Sequence, residues 1–590
     1  MGYASWSGLP PAGGILLLEP CPVPSGLVVT VSSSRGGLRE LYPSTTILGR
    51  RELALISLTG IRSLSGRSGG AHVREYGGAM PVVSISIRGS SSGQTGCFVD
   101  GHPIESCMDG LPAAMPDVSL FGSLEVARGG GSGFLRGGMA GAINFIPEPR
   151  NAPPRASITA DDRGGLRASG ASGIGAGRIA ISLGRSVGVG GSRSLSGSVL
   201  YTGIAGLSRY GLLSSVADGE TEGPDWSLPT DATRRVTSME GWFRWMTGPV
   251  GLSADAGARR TLYRSTTPTD ADGDHREGGG GLAAEWDTGL PLVDLRLSGA
   301  LSGRLLRSTS VGERRSLSVE LAAACGWEGP VSLSASSRVS MIRGAERLAG
   351  ASATASVPFL DHLFAAHVSI SSSFRRPTFN DLYWPEDDFT VGNPDLLPER
   401  SLEAEAGLAM PGTGCWALSL TGFLAHTDDL IRWQPGEAGR WSPVNVAKAR
   451  RMGIEIESRL SLGTCDLSGT LTLIEVTDDD PASTNYGMTL PYVPDCTFGL
   501  HADMELPAGL AARVSVEGAG IRFQNWSETS WLPSYQLLSA GLSTRLPVWT
   551  GSTLEISGTN LLDREYEESN GYVGEPRTIR ATLCWTGEGV

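Results

Sequence analysis

The stretch "GTLTLIEV", residues 469–476, sets Leu471, Leu473 and Val476 among Thr470, Thr472 and Glu475. Side chains leave an extended chain on alternate faces, so this spacing reads as a strand with one apolar and one polar side. "AARVSVEG" (511–518) and "STLEISGTN" (552–560) read the same way, and the pattern holds from about Gly164 onward. What brackets the stretch decides the fold. Ahead of it lies the short turn "LGT" (462–464); behind it runs the charged "DDDPASTNYG" (478–487). Short Gly/Pro turns recur at "TGPVG" (247–251), "TGLPL" (288–292), "EGP" (328–330), "VPFLD" (357–361), "PGTG" (411–414) and "LPAG" (506–509). Longer charged connections such as "TDADGDHREGG" (269–279) fall between them. Tight turns at one end and long loops at the other are the asymmetry of an outer-membrane β-barrel. The rhythm predicts an all-β transmembrane fold of about 22 antiparallel strands, each about ten residues long, with the weak segment Leu207–Val216 counted as one of them. A soluble sandwich or solenoid accounts for alternating strands but not for the turn rhythm.

Bulk properties narrow the function. The 590 residues carry a net charge of −13, and Lys448 is the sole lysine among 48 basic residues. That balance argues against a nucleic-acid partner, whose phosphates demand excess basic charge. Lys448 sits in "NVAKARR", so no nucleotide-binding Gly-Lys-Ser/Thr loop exists and any energy comes from outside the chain. No apolar run approaches the ~20 residues of a membrane-spanning helix. Eight cysteines are scattered without a Cys-x-x-Cys pair, which removes zinc ribbons and redox motifs. Cys97 and Cys107 are spaced for either a loop disulfide or two shielded thiols. Catalytic constellations are missing: the seven histidines form no His-Glu-x-x-His, and "GRSGG" (66–70) is a chance match to Gly-x-Ser-x-Gly in a Gly- and Ser-rich chain.

The first 150 residues have a different grammar. "MPVVSISIRGSSSGQTGCFVDGHPIE" and "SLEVARGGGSGFLRGGMAGAINFIPEP" read as short apolar strands broken by glycine turns, an α/β globule small enough to sit inside the barrel. Residues 1–26 make a poor signal peptide, because they lack a basic start and hold only a short apolar core.

Six motifs in order now resemble one family. "ISIRG" (Ile85–Gly89), "FVDG" (Phe98–Gly101) and "LEVARGGGSGFLRGGMAGAINFI" (Leu124–Ile146) are similar to the plug signatures of TonB-dependent outer-membrane receptors, nearest the cobalamin (vitamin B12) transporter branch. "FRRPTFNDLYWPEDDFTVGNPDLLPERS" (Phe374–Ser401), "DLIRWQPGEAGRWSPVNVAKARRMGIEIE" and "NLLDREYEESNGYVGEPRTIRATLCW" resemble its barrel signatures. Departures are "GGGSGFLRGG" where Pro and Tyr are usual, "GEPRT" in the last strand, and an end on "CWTGEGV" in which Trp585 stands in for a terminal aromatic.

The resemblance implies a TonB-box-like segment at 27–35, a plug at 36–150 and a barrel at 151–590. Leu27, Val28, Val29, Thr30 and Val31 would pair edge to edge with TonB, the carrier of the inner-membrane proton-motive complex. Arg88, Glu125 and Arg128 would be buried charges that persist only when paired, the arginines with barrel-wall carboxylates or within the plug. Gly89, Gly101 and Gly129 would hold positive-φ turns, Asp100 would close its turn through its side chain, and Asn144 belongs to the same motif set. Phe374–Ser401, whose prolines no single strand or helix could accommodate, would be an ordered non-repetitive loop or two loops around a short turn, an excursion on the long-loop side. Its Tyr383, Trp384, Asp387, Asp388 and Phe389 would face either the ligand or the membrane interface. Asp270, Asp272 and Asp274 have calcium-loop spacing without the bidentate acid, so calcium is a weak expectation beside a solvated loop. The expected partners are a corrinoid or an iron chelate, TonB and the lipid bilayer, with the chain acting as a monomer and no integral cofactor. A passive porin, an outer-membrane enzyme or a binding barrel without energised transport are the competing readings.

Overall fold

The computed structural model describes residues 2–3, 20–21 and 44–587 except 77, 111–114, 131–137, 222–231, 266–271, 289–292, 328, 361–362, 387–389, 411–414, 436–440 and 548. Leu27–Val31, Asp270, Asp387, Asp388 and Phe389 therefore lie outside the described residues.

Twenty-two antiparallel strands form one closed barrel, each paired to its neighbour in sequence. The last, Thr578–Thr586, pairs with the first, Arg155–Asp161, from Arg155↔Thr586 to Asp161↔Arg580. Closure leaves no strand edge, as a sheet immersed in lipid requires. The weak segment at 207–216 is the strand Ser208–Thr221. Strand length departs from expectation, running from 7 residues at Arg155–Asp161 to 22 at Trp441–Leu462. The long strands continue as paired hairpins beyond the apolar belt, where alternation no longer marks their ends. Among the described residues the short-turn end is tight, as at 175–176, 206–207, 248–249 and 463–464, but the opposite end is mixed: the connections at 309–311 and 343–347 are short too.

The strand Glu399–Met410 shows how sequence becomes barrel. Glu399, Ser401, Glu403 and Glu405 point inward and are buried, whereas Arg400, Leu402, Ala404, Ala406 and Leu408 face outward. Leu402 is 52% exposed and Glu403 only 3%. A water-soluble sheet would invert this, because exposing leucine while burying carboxylates is unfavourable in water. The outward face is an apolar band for lipid, and the inward face is polar because it meets the plug.

Inside lies a five-stranded sheet. We label β1 (Thr45–Leu48), α1 (Arg50–Thr59), β2 (Ala71–Tyr76), β3 (Val82–Ile87), β4 (Thr95–Val99), β5 (His102–Pro103), β6 (Phe121–Arg128) and β7 (Gly141–Pro147). The sheet order is β1-β6-β7-β4-β5, with β4 parallel to β7 and every other pair antiparallel; β2 and β3 form a separate hairpin. α1 buries Leu53 and Ile56, three residues apart on one face, against a core including Leu124, Val126, Ile143 and Phe145. It stops at Gly60, whose φ of +87° suits a residue without a Cβ. Contacts from this globule reach the wall on many sides, at Ser182, Trp242, Glu277, Ser373, Glu455 and His501. It fills the lumen as a plug.

Leu282 lies mid-strand on the outward face. Leu282→Arg should destabilise the barrel by about 2–4 kcal/mol in phospholipid vesicles, the depth-dependent cost of a lipid-facing charge at the midplane, whereas Leu282→Val should be near neutral. Urea unfolding of the two variants checks this, and equal tolerance would remove that face from the bilayer.

Candidate functional site

The plug meets the wall at the turn that follows β3. Ile87–Ser90 is a tight turn closed by Ser90 N–H donating to the Ile87 carbonyl at 3.1 Å. Arg88 and Gly89 both take positive φ, +52° and +67°, the signature of a type I′ turn. Gly89 is required twice over, because a Cβ there would lie 2.7 Å from a Val476 methyl. The turn aims Arg88 outward from the plug into the wall.

There its guanidinium is held by three carboxylates. Nε and Nη2 each donate at 2.9 Å to the two oxygens of Glu455, Nη1 donates at 2.8 Å to Glu405, and Nη1 also bonds Glu403. The Phe423 ring lies 4.4 Å from the guanidinium carbon. Register explains the cradle. Phe423 pairs with Glu405 on one side and Gly453 on the other, and a Cβ at Gly453 would strike the ring at 2.8 Å. Glycine at 453 thus makes room for the aromatic floor. Burial opposes the charge of Arg88, but Glu455, then Glu405 and Glu403, outweigh it and hold its pKa above the ordinary value.

Arg128, at the end of β6, extends the network. Its Nη1 donates to Glu457 at 2.6 Å, Thr46 at 2.8 Å and the Gly69 carbonyl at 2.8 Å, while Nε lies 3.5 Å from Glu455. Burial opposes its charge too, and Glu457 and Glu455 prevail. Arg451 reaches Glu403 at 4.0 Å and His367 reaches Glu405 at 3.6 Å. Four inward carboxylates on two strands therefore face two plug arginines, with wall basic groups around them. The plug motifs point to the arginines but not to Glu403, Glu405, Glu455 and Glu457. The signal for these acids is present in "LEAEAG" and "IEIES", where they alternate with apolar residues on strands that should be lipid-facing on one side.

The rest of the motif set behaves differently. Gly101 and Gly129 take φ of +81° and +92°. Asp100 does not close its own turn: it reaches across to the wall, accepting from Trp242 Nε1 at 3.2 Å and pairing with Arg209 at 3.2 Å. Asn144 holds that turn instead, its Oδ1 accepting from Gly101 N–H at 3.0 Å and its Nδ2 donating to Glu125 at 3.0 Å. Glu125 therefore has an amide for a partner in place of the expected charge. Burial, with Asp100 nearby, pushes its pKa to about 7.

At the long-loop end, Phe374–Ser401 runs from the strand Phe364–Arg375 through a short helix, Phe379–Tyr383, to the strand Glu399–Met410. The short helix separates two irregular stretches, near the expected arrangement of two loops around a short turn, and local hydrogen bonding closes it: Thr378 Oγ1 accepts from Asp381 N–H at 3.2 Å, and Asp381 accepts from Thr378 N–H at 2.9 Å. Arg375 ties Asp381 at 3.2 Å to Glu399 at 3.0 Å, and plug Gln94 donates to Glu399 at 3.1 Å. Asn380 N–H reaches the plug at the Met108 carbonyl, 2.9 Å away. Tyr383 and Trp384 are half-buried at the base, with the Arg314 guanidinium 4.0 Å from the Tyr383 ring.

Asp274 is not poised for calcium, because Arg260 and Arg276 hold it at 2.9 and 2.8 Å. Asp272 is exposed, and no cluster of three metal-ligating side chains occurs among the described residues. Cys97 and Cys107 are free thiols, and Cys107 Sγ donates to Glu277 at 3.3 Å.

Comparison with known proteins places this geometry. Residues 184–561 match the family described as TonB dependent receptor-like, beta-barrel. The vitamin B12 transporter BtuB of Vibrio vulnificus (strain YJ016) is 30% identical over 230 residues, which span 36% of this chain and 34% of that protein. Its counterpart in Photobacterium profundum is 28% identical over 224 residues with the same shares. The matched stretch thus spans about a third of the length of these curated relatives. Among solved structures, the ferric yersiniabactin uptake receptor FyuA of Yersinia pestis has a TM-score of 0.75 at 17% identity, covering 92% of this chain and 98% of that one. A ferric enterobactin receptor, PfeA of Pseudomonas aeruginosa, has 0.75 at 14% over the same shares, and the copper transporter OprC 0.74 at 16% over 96% and 100%. At these identities the likeness is one of fold.

Arg88→Gln strands buried carboxylates and should loosen plug docking by about 3–5 kcal/mol, with Arg88→Gln/Glu455→Gln recovering part of it. Amide hydrogen exchange over 44–147 in the intact protein reads this, and unchanged protection in Arg88→Gln would show that the cluster does not hold the plug. For Glu125, the folded carboxyl near 7 binds its proton more tightly than an unfolded one near 4.5. Plug stability should therefore fall as pH rises through that window, and Glu125→Gln should abolish the fall. Urea-dependent plug release at pH 5 and pH 8 tests the difference.

Proposed function

The chain belongs to the TonB-dependent receptor family, and from that premise we propose that it imports a scarce, bulky ligand through a TonB-driven, plug-gated step. It is an outer-membrane β-barrel whose long-loop end is extracellular. The observation that carries the reading is the Arg88 cluster: a folded plug inside a closed barrel is tied to the wall by buried ion pairs, beside an apolar contact at Leu200, Leu213 and Trp242. A passive porin has no use for such a clamp, and no catalytic step belongs to this reading.

Leu27–Val31, ahead of the plug, is the proposed TonB contact. An extended β-prone segment is grasped through its backbone, so short sequence suffices. The proposed division is the TonB contact within 27–35, the plug within 36–150 and the barrel from 151, in a chain that works as a monomer. The ligand proposed first is a corrinoid, because the curated relatives are vitamin B12 transporters. A ferric siderophore comes next, as the fold neighbours FyuA and PfeA are receptors for iron complexes, and haem after that. Tyr383 and Trp384 at the base of the Phe374–Ser401 excursion, with Asp387, Asp388 and Phe389, are the proposed ligand-facing residues.

Deleting residues 27–31 should abolish uptake of radiolabelled cyanocobalamin by cells while purified protein binds it as before. Unchanged uptake would end the energised reading. Nanomolar binding of a ferric chelate with none to corrinoids would move the ligand to iron, and a large steady conductance in planar bilayers would favour a porin.

A further inference from the structure

A cavity of about 120 Å³ opens between the β2–β3 hairpin of the plug, the turn after it, and the wall at Arg432, Thr472 and Thr497, under the extracellular connection at 491–494. We propose that it is a binding site for an oxyanion group: phosphate, phosphodiester or carboxylate.

The argument rests on unpaired cations. Arg74 and Arg432 both line the cavity, and neither forms an ion pair with any described carboxylate. The Nε of each is buried without a hydrogen-bond partner. Arg74 has one long hydrogen bond, 3.5 Å to Ser84 Oγ, and its guanidinium carbon lies 5.8 Å from the centre of the Tyr76 ring. Glu399 is the acid whose field reaches Arg432, but it is engaged by Arg375, Gln94 and the Ile431 N–H. Arg88 lines the same cavity, but its charge is met by three carboxylates, which leaves Arg74 and Arg432 as the cavity's unpaired cations. A buried donor without an acceptor is costly, and two guanidinia across one cavity repel. An oxyanion removes both penalties, because the guanidinium fork matches its geometry.

His72 is the third donor. It is 5% exposed, lines the cavity, and has no hydrogen bond to either ring nitrogen; Nε2 lies 3.7 Å from Glu568. Burial, followed by Arg74, holds its pKa well below the usual range, so it offers a neutral N–H. The volume admits a small anion or one substituent of a larger ligand, not a macrocycle.

The occupant is either a free oxyanion or the anionic substituent of the imported compound. Only the second source rests on the transport reading, and binding to purified protein is measured apart from uptake. Isothermal titration of the full chain in detergent with sodium phosphate, ionic strength held with sodium chloride, should show saturable binding. Arg74→Gln and Arg432→Gln should each weaken it at least tenfold, Arg432→Lys less, and the exposed Arg315→Gln not at all. Resistance to unheated detergent unfolding confirms that each variant is folded. Competition between phosphate and cyanocobalamin, or between phosphate and a ferric catecholate, identifies a ligand substituent as the occupant; no competition identifies the free anion. Absence of phosphate binding, or binding indifferent to Arg74 and Arg432, overturns the site.

Discussion

A sheet in lipid has no water to satisfy its backbone, so every strand needs two neighbours. The pairing of Arg155–Asp161 with Thr578–Thr586 meets that demand and dictates the layout of the whole molecule. Once the ring is closed, the side-chain period of two sends one face to hydrocarbon and the other to the lumen. Leu402 and Glu403, adjacent in sequence, therefore experience opposite solvents. A lumen of this girth is too wide for wall side chains to fill, and the plug supplies the missing interior. Phe121, Leu124 and Phe145 form the plug's own core, to which the wall adds Trp242 and Leu200.

The plug is held by a contact that is strong when complete and weak when broken. Buried ion pairs repay desolvation only with full hydrogen bonding, so their net worth is near break-even even though losing one partner is expensive. Arg88 with Glu455, Glu405 and Glu403, and Arg128 with Glu457, give that contact direction and register. An apolar seal of the same area would hold more tightly and would expose hydrocarbon when parted. The ionic clamp exposes groups that water solvates, so only the smaller contact at Trp242, Leu200 and Leu213 would leave apolar surface behind.

Much of this is legible in the chain, for identifiable reasons. The strand period and the tight turns at one end are local, so "GTLTLIEV" and its flanks carry them, and Gly89 is marked by its place after Arg88. Asp100 misleads because a short acid beside glycine has a strong local use, and only the fold brings Trp242 and Arg209 to it. Glu125 misleads for the opposite reason: a buried acid suggests an ion partner, but Asn144, across a strand pair, supplies an amide. The wall glutamates escape a linear reading because their meaning lies in which face of a distant strand meets Arg88. Asp274 has calcium-like spacing, but Arg260 sits on the neighbouring strand, which spacing along one strand cannot reveal.

The position of β1 connects the clamp to the chain ahead of it. β1 is the edge of the plug sheet, four residues long and paired only with β6. Its hydroxyls are wired into the clamp: Thr46 Oγ1 donates to Glu457 at 2.6 Å and accepts from Arg128 at 2.8 Å, while the adjoining Ser44 Oγ donates to Glu405 at 3.1 Å. A pull on the residues before Ser44 therefore loads an edge strand first, the part of a sheet with the fewest hydrogen bonds to break. As β1 leaves, Glu457 loses a donor and Arg128 an acceptor, so the ion pair beside them becomes incompletely satisfied. Incomplete satisfaction is the condition under which a buried pair turns from neutral to costly. The plug core is built from apolar side chains of α1, β6 and β7, such as Leu53, Leu124 and Phe145, to which the β1 hydroxyls contribute nothing. Ser44 and Thr46 thus tie the first strand of the plug to the same carboxylates that hold Arg88 and Arg128.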